Sequence, residues 1–425
     1  MLALFAALQL AGGDSLPQVT LGEALRRSAQ LDPGYVAATG AVATAAWNRR
    51  AARLLFIVPA IRLSTDFIWS STPVFDFGTG TALTGNAVSA RVDARLDLFT
   101  GGQKIAGLRR ANAQVEGAEA GELRSRFAVA VATEADYYAV LASRELRRVA
   151  DERVRRAREQ VGVARARVLS GAAVQTDSLQ LLLELARARV SLIQEETALR
   201  VSRLQLGRRI GLDTPVDAAP LDTLPAPDLP ITIEDAVVRA LAQGPDYRVA
   251  RAVERVADAD VLAQWGSYLP RATLSASSGA FDDHFFPQAN PTNVLALTIS
   301  FPLWDNAQRE IALTQARARR DVARSVRADL ERAVRRDVTD AYYTYNSARE
   351  AAAVAAEARV VAREAFRVQE TRYRSGATTI LDLLDAQVGL TDAEAGLVQA
   401  RYIARLALAG LEAILGERLF PVGDE

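Results

Sequence analysis

The 425-residue chain has no cysteine, one histidine (His284) and one lysine (Lys104), and its 51 basic residues are balanced by 51 acidic ones. Without thiols there are no disulfides, no thiolate metal sites, no cysteine nucleophile and no N-terminal cysteine to acylate. Zero formal charge removes the electrostatic case for nucleic acid, and a basic set made almost wholly of arginine is what codon bias gives. No stretch reaches the roughly 18 apolar residues of a spanning helix, so any membrane contact is made another way. Catalytic chemistry is equally thin. His284 lies in Phe281-Asp-Asp-His-Phe-Phe286 beside Asp282 and Asp283, with no second ligand or nucleophile near it in sequence. Gly101-Gly102 with Lys104 lacks the rest of a phosphate loop, and Ser-Gly-Ala is not a nucleophile motif. The expectation is a protein that is not an enzyme and uses no cofactor or metal.

What is present begins with apolar material, which makes up 50% of the chain and is ample for a core. Met1 to Ala11 is a short apolar run followed by Gly12-Gly13, so residues 1–13 read as a secretory signal. The basic leader that precedes such a run is lacking, and the true start is expected upstream.

Beyond residue 13 the chain is two copies of one plan. Val19-Thr-Leu-Gly-Glu-Ala-Leu25 recurs as Ile231-Thr-Ile-Glu-Asp-Ala-Val237, and Pro33 with Tyr35 recurs as Pro245 with Tyr247, each 212 residues on. Further along the displacement is 205: Tyr137-Tyr138 matches Tyr342-Tyr343, Arg167-Val-Leu-Ser-Gly-Ala172 matches Arg372-Tyr-Arg-Ser-Gly-Ala377, and Gly211 matches Gly416. The change falls between Pro59 and Gly102, where the first copy carries a longer insert. The predicted organisation is a first repeat over 14–210, a proline-rich connector over 211–230, a second repeat over 231–416 and a tail over 417–425.

Each copy is predicted to run helix, β-hairpin, long helix, turn, second helix. Leu383, Leu390, Leu397, Ala404 and Leu411 recur every seven residues, with Ala386, Ala393, Ala400, Ala407 and Ile414 three places later. Leu185, Leu192, Leu199 and Leu206 repeat the spacing in copy one, and Val334, Ala341, Ala348, Ala355 and Ala362 carry it on the helix predicted over 308–373. A strict seven-residue repeat makes helices coil around one another, and alanine lets them approach closely. The turns between the helices carry Gly171 and Gly376, residues that accept the left-handed backbone ending many helices, and Thr379 with Asp382 forms a capping box for the helix that follows.

In the hairpins, at about 60–98 and 271–303, the period becomes two. Arg62, Ser64 and Asp66 alternate with Ile61, Leu63, Thr65, Phe67 and Trp69. Ser89, Arg91, Asp93, Arg95 and Asp97 alternate with Val88, Ala90, Val92, Ala94 and Leu96. Copy two sets Arg271, Thr273, Ser275 and Ser277 against Ala272, Leu274 and Ala276, then Leu295, Leu297, Ile299 and Phe301 against Ala296, Thr298 and Ser300. Strands of about ten residues match tilted crossings of a bilayer. Aromatics gather near their ends: Trp69, Phe75, Phe77 and Phe99, then Tyr268, Phe281, Phe285, Phe286, Phe301 and Trp304. Four strands cannot close a barrel, for which about eight are the minimum. Open edges in hydrocarbon cost several kcal/mol per unpaired group. Several chains must therefore share one barrel, and a homotrimer supplies twelve strands. The fold class expected is mainly α with membrane β: a duplicated unit of helix, β-hairpin and long helical hairpin, whose trimer joins a 12-stranded β-barrel to an α-helical barrel.

With these features together, the sequence resembles the outer-membrane efflux channel family, the TolC-like proteins, from Val19 to Gly416. The motifs that carry the likeness are the paired openings at 19–25 and 231–237, Tyr268-Leu-Pro270, Leu98-Phe-Thr-Gly-Gly-Gln103, and Tyr373-Arg-Ser-Gly-Ala-Thr-Thr-Ile-Leu-Asp-Leu-Leu-Asp385. The resemblance implies a trimeric exit duct in the outer membrane that projects into the periplasm and docks onto a periplasmic adaptor and an inner-membrane pump or ABC transporter. It implies adaptor docking at Ser170, Gly171 and Ala172 and at Ser375, Gly376 and Ala377. It maps a constricting acidic ring onto Asp382 and Asp385, and a closed-state latch onto Thr176, Asp177 and Tyr373. Asp382 also suits a plain helix-dipole role. The chain departs from the family at Thr378, where well-known members carry a latching arginine; Arg372 and Arg374 are the candidates to replace it. The lumen of the barrel is expected to carry Arg62, Asp66, Arg91, Asp93, Arg95 and Asp97. The competing expectation is a soluble periplasmic coiled-coil scaffold or adaptor without a pore.

Overall fold

The computed structural model describes residues 16–69, 71, 75–76, 81–82, 86–221, 226–282 and 290–421. The signal-like run 1–13, Phe77, His284, Phe285 and Phe286 lie outside the described residues. In chain order the elements are β1 (Gln18–Val19), α1 (Leu21–Leu31), α2 (Pro33–Leu54), β2 (Ala60–Trp69), β3 (Phe75–Asp76), β4 (Thr81–Ala82), β5 (Asn86–Phe99), α3 (Gln103–Leu169), α4 (Gln175–Arg209), β6 (Asp217–Ala218), α5 (Ile233–Gln243), α6 (Pro245–Trp265), β7 (Arg271–Asp282), β8 (Asn290–Ser300), α7 (Gln308–Ser375) and α8 (Ile380–Leu415). The two copies start alike. Thr20 Oγ1 accepts from Glu23 N at 3.3 Å to cap α1, and Thr232 Oγ1 accepts from Asp235 N at 3.2 Å to cap α5. Pro33 and Pro245 open α2 and α6, the first helical position at which proline loses nothing.

The chain divides into two units. One holds the residues up to Ala38, Glu122–Asp246 and Arg332–Glu425. Its core is the seven-residue seam: Leu383, Leu390, Leu397, Ala404 and Leu411 are all buried. Leu383 and Leu390 cluster with Val154, Ala157, Val161, Leu181, Leu185 and Phe366, and a second cluster gathers Tyr137, Tyr138, Leu199 and Leu206 with Val398 and Tyr402 of α8. The offset alanine series (Ala386, Ala393, Ala400, Ala407) is half-buried. A short parallel pairing of β1 with β6 ties the chain start to the connector, Val19 opposite Ala218. Asp217 is held there by Arg203 at 2.6 Å and Arg144 at 3.6 Å.

The other unit, Thr39–Gly121 and Tyr247–Glu331, contains the membrane-type strands. The two hairpins form a single antiparallel sheet in the order β2-β5-β7-β8. The second ends at Ser300, three residues short of its expected limit. Pro302 has no N–H to give a ladder, and Arg309 draws the carbonyls of Pro302 and Leu303 away at 3.0 and 3.4 Å. β3 and β4 pair within the extra stretch of copy one. Both connectors from strand to long helix use two successive left-handed residues: Gly101 and Gly102 (φ 59° and 87°) and, 205 positions later, Asn306 and Ala307 (φ 54° and 60°). Glycine is required at the first, where a Cβ would stand 2.3 Å from the Gly266 carbonyl oxygen.

Candidate functional site

The register sorts the sheet into two chemically distinct faces. Arg62 lies opposite Asp93, Ser64 opposite Arg91 and Asp66 opposite Ser89. Asp93, Arg95 and Asp97 lie in turn opposite Ser277, Ser275 and Thr273, and Thr273 lies opposite Thr298. Directly opposed residues share a face, so all six charges expected in the lumen stand together. Asp66 Oδ2 accepts from Ser89 at 3.4 Å, and Asp97 Oδ1 accepts from Thr273 at 2.8 Å and lies 3.6 Å from Arg95. Across the sheet, Ile61, Leu63 and Phe67 lie opposite Ala94, Val92 and Val88, and Leu274 and Ala276 lie opposite Leu297 and Leu295. Among the described residues this face is largely uncovered: Leu63 is 70% exposed and Leu295 74%. An irregularity between Asp97 and Phe99 leaves Leu98 unpaired and brings Phe99 opposite Ala272, adding an aromatic to the apolar side. Among the described residues β2 pairs only with β5 and β8 only with β7, so the sheet has two open edges.

The two turns that join α3 to α4 and α7 to α8 are built alike. Gly171 and Gly376 take φ of 74° and 79°. Ala172 N donates to Arg167 O and Ala377 N to Arg372 O, both at 2.8 Å, and Ser170 Oγ and Ser375 Oγ donate to those same carbonyls at 3.0 Å. Arg167 Nη2 donates to Ala172 O at 3.2 Å, and Arg372 Nη2 to Ala377 O at 3.4 Å. Arg167 goes further and donates to the Tyr373 carbonyl, with its guanidinium 4.7 Å from that ring's centroid, so one arginine fastens both turns together.

The residues assigned to the gate fall into distinct environments. Tyr373 is buried among Val161, Leu181 and Leu383. Its hydroxyl has no partner among the described residues, and burial, reinforced by the charge of Asp177 and opposed by Arg167, pushes its pKa up. Thr176 and Asp177 occupy the first turn of α4, whose cap residue Val174 gives no side-chain bond. Asp382 completes the expected capping box: its Oδ2 accepts from Thr379 Oγ1 at 2.6 Å, Thr378 Oγ1 at 2.8 Å and Thr379 N at 3.1 Å. The Thr379 hydroxyl, then that of Thr378 and the Thr379 amide, hold its pKa below the ordinary value. Thr378, which the resemblance led one to expect as an arginine, is thus part of the cap. Arg374 is paired with Glu370 at 2.9 Å, and Arg372 serves its own turn. Asp385, one turn on, is exposed and lies outside the cap.

Sequence reading missed a buried ionic layer behind the tip. Glu184 Oε1 accepts from Arg153 Nε at 2.9 Å and Nη2 at 2.6 Å and from Gln387 Nε2 at 3.4 Å. Glu394 lies 3.2 Å from Arg156 and 3.3 Å from Arg363. Glu184, Glu394 and Gln387 are all buried. A similar cluster holds the tail, where Arg418 joins buried Glu134 and, at 2.7 Å, buried Glu412. The available signal was a carboxylate or amide beside a seam leucine, such as Gln387 between Leu383 and Leu390. Charged residues on a helix are solvated so often that the pattern does not stand out.

Among the described residues no helix is long and apolar enough to cross a membrane, and no group of three or more His, Cys, Asp or Glu is placed to hold a metal. Long helical hairpins together with a four-stranded antiparallel sheet, one face of it charged and the other apolar and exposed, define the class: a helical-hairpin protein with a membrane-type sheet. The family description "Outer membrane efflux protein" matches residues 3–212 and 236–417. The chain belongs to that family, whose members are transport channels of the outer membrane rather than enzymes. Protein CyaE of Bordetella pertussis is 31% identical over 224 residues, 49% of this chain and 46% of that protein, so the match spans under half of the relative's length. Among solved structures, a membrane protein from Pseudomonas aeruginosa aligns with TM-score 0.80 at 18% identity, covering 95% of this chain and 91% of that one. The outer membrane protein VceC of Vibrio cholerae aligns with TM-score 0.76 at 18% identity, covering 94% and 97%. The MtrE outer membrane channel of Neisseria gonorrhoeae, in its open state, aligns with TM-score 0.76 at 17% identity, covering 94% and 89%. At such identities the likeness concerns the fold.

Proposed function

We propose that three copies of this chain form a passive exit duct of a tripartite efflux or type I secretion system, gated at its periplasmic tip and docked to an adaptor and an inner-membrane pump. The observation that carries the reading is the sheet: four strands with two open edges among the described residues, the six charges of β2 and β5 on one face, and an exposed apolar face on the other. Unpaired edge groups are costly in hydrocarbon, and a sheet whose edges are closed by neighbouring copies removes that cost. Pairing β8 of one protomer with β2 of the next closes a 12-stranded barrel with Arg62, Asp66, Arg91, Asp93, Arg95 and Asp97 toward the lumen. Their mixed signs give the barrel weak charge selectivity. At the tip, Asp385 is the exposed carboxylate not engaged in capping, so it carries the ring that favours cations and impedes anions; Asp382 contributes mainly to shape. The paired Ser-Gly-Ala turns, fixed by Arg167, present a stiff surface to the adaptor. The substrate moves through water, and the partner pump supplies the energy.

The test is reconstitution in planar bilayers. Trimers are expected to conduct, and Asp385→Ala to lower cation selectivity and weaken block by divalent cations. A protein released from membranes by alkaline wash, or trimers without conductance, sinks the duct; unchanged selectivity in Asp385→Ala sinks the gate assignment.

A further inference from the structure

The two strand-to-helix connectors repeat each other, with one departure. In copy two, Arg309 donates to the Pro302 carbonyl, lies 5.0 Å from the centroid of Tyr268 and pairs with Asp305 at 3.0 Å, its side chain only 13% exposed. In copy one the cation is Lys104, 205 positions earlier. It donates to the carbonyl of Asp97, 205 positions before Pro302, and lies 5.6 Å from the centroid of Phe56, 212 positions before Tyr268. Thr100 stands where copy two has Asp305, and no carboxylate among the described residues pairs with Lys104. An ammonium has three N–H donors, so the first clamp keeps a cation without its anion.

Beside it lies uncovered apolar surface. Leu54, Leu55, Phe56, Ile57 and Val58 are five consecutive apolar residues, all exposed, Ile57 by 78%. They form the turn that leads into β2, at the end of the sheet where its strands meet the helices. Five apolar side chains in a row on a turn have no polar side with which to form the rim of a protein interface, whereas acyl chains can surround them.

We propose that Lys104 and the Leu54–Val58 turn form a binding site for an anionic phospholipid, with the ammonium on the headgroup phosphate and the acyl chains along Leu54, Leu55, Ile57 and Val58. The assignment rests on the reading of the sheet as membrane-embedded. It explains why the second copy, whose cation already has Asp305, lacks such an exposed run at the matching position, where Ser267-Tyr268-Leu269 stands.

The absence of cysteine makes the test clean. Bimane is attached at Ile57→Cys, or at Phe67→Cys on the sheet's apolar face as the membrane control, in vesicles holding acyl-brominated phosphatidylglycerol or phosphatidylcholine at equal mole fraction. The Ile57 label is expected to be quenched with a roughly fivefold preference for the anionic lipid, the worth of one lysine at a charged surface. Lys104→Met should abolish the preference, and Lys104→Arg should keep it. Equal quenching by both lipids in the presence of Lys104 overturns the headgroup site. Quenching at Phe67 with none at Ile57 overturns the acyl site and assigns the turn to contact with a second copy. A silent Phe67 label overturns the membrane sheet and this site with it.

Discussion

Removing the Glu184 carboxylate should loosen the tip-proximal helices more than any surface change nearby. Glu184 Oε1 takes three donors, two from Arg153 and one from Gln387, and Gln387 is 1% exposed. Glu184→Ala leaves a guanidinium and an amide facing each other in a packed interior. Breaking a fully buried pair costs about 3–5 kcal/mol, and Arg153 retains 19% exposure, so the expected loss is about 2–3 kcal/mol. That corresponds to a roughly 30- to 150-fold fall in amide protection where opening is local. Glu184→Gln keeps an acceptor for Arg153 and should cost about half as much. The pair Arg153→Met with Glu184→Leu replaces ions by apolar groups and should cost less than the sum of its single changes. Hydrogen exchange over 150–190 and 380–395, at fixed protein concentration, reads these variants and the two single changes Arg153→Met and Glu184→Leu. Unchanged protection in Glu184→Ala, or strict additivity in the double variant, would refute the idea that this layer joins α3, α4 and α8.

Tyr373→Phe is expected to leave tip stability within about 1 kcal/mol of the parent, because the hydroxyl removed is buried and unpartnered; a channel that leaks after this change would instead show a latch role. Since the folded Tyr373 pKa lies above its ordinary 10.0, the contribution is fully present below pH 10.0 and lost as pH rises through the folded value. Alkaline proteolysis of the tip should therefore ease in Tyr373→Phe. For Asp382 the sign is reversed: a folded pKa below 3.8 means its contribution is present above 3.8 and lost as pH falls through the lower folded value. Thr379→Ala should weaken the same cap by about 1 kcal/mol, seen as faster exchange in the first turn of α8. Gly101→Ala should be far more damaging than Gly102→Ala despite similar φ, since only the first meets backbone, and heat stability of the two variants measures the gap.

Much of this architecture is a property of local periodicity and was open to reading in one dimension. The seven-residue series predicted which face of α8 is buried, because a helix presents every seventh residue to the same side whatever it packs against. Alternation predicted which strand residues share a face, and the left-handed glycines after α3 and α7 marked where the helices stop. The duplication, with its displacements of 212 and 205, determined that both tips and both connectors would be built alike.

The tertiary structure alone decided what depends on partners distant in sequence. That β5 lies beside β7, joining hairpins from the two copies into one sheet with free edges, follows from how the copies pack rather than from any strand's own pattern. Periodicity gives a residue's side but not its neighbour, so it could not separate the carboxylates of Glu184 and Glu394, buried on arginine, from their solvated equals. Nor could it divide the two tip aspartates. Asp382 is engaged because the backbone turn at Thr379 brings three donors onto one oxygen, while Asp385, on the same helix face, is left exposed.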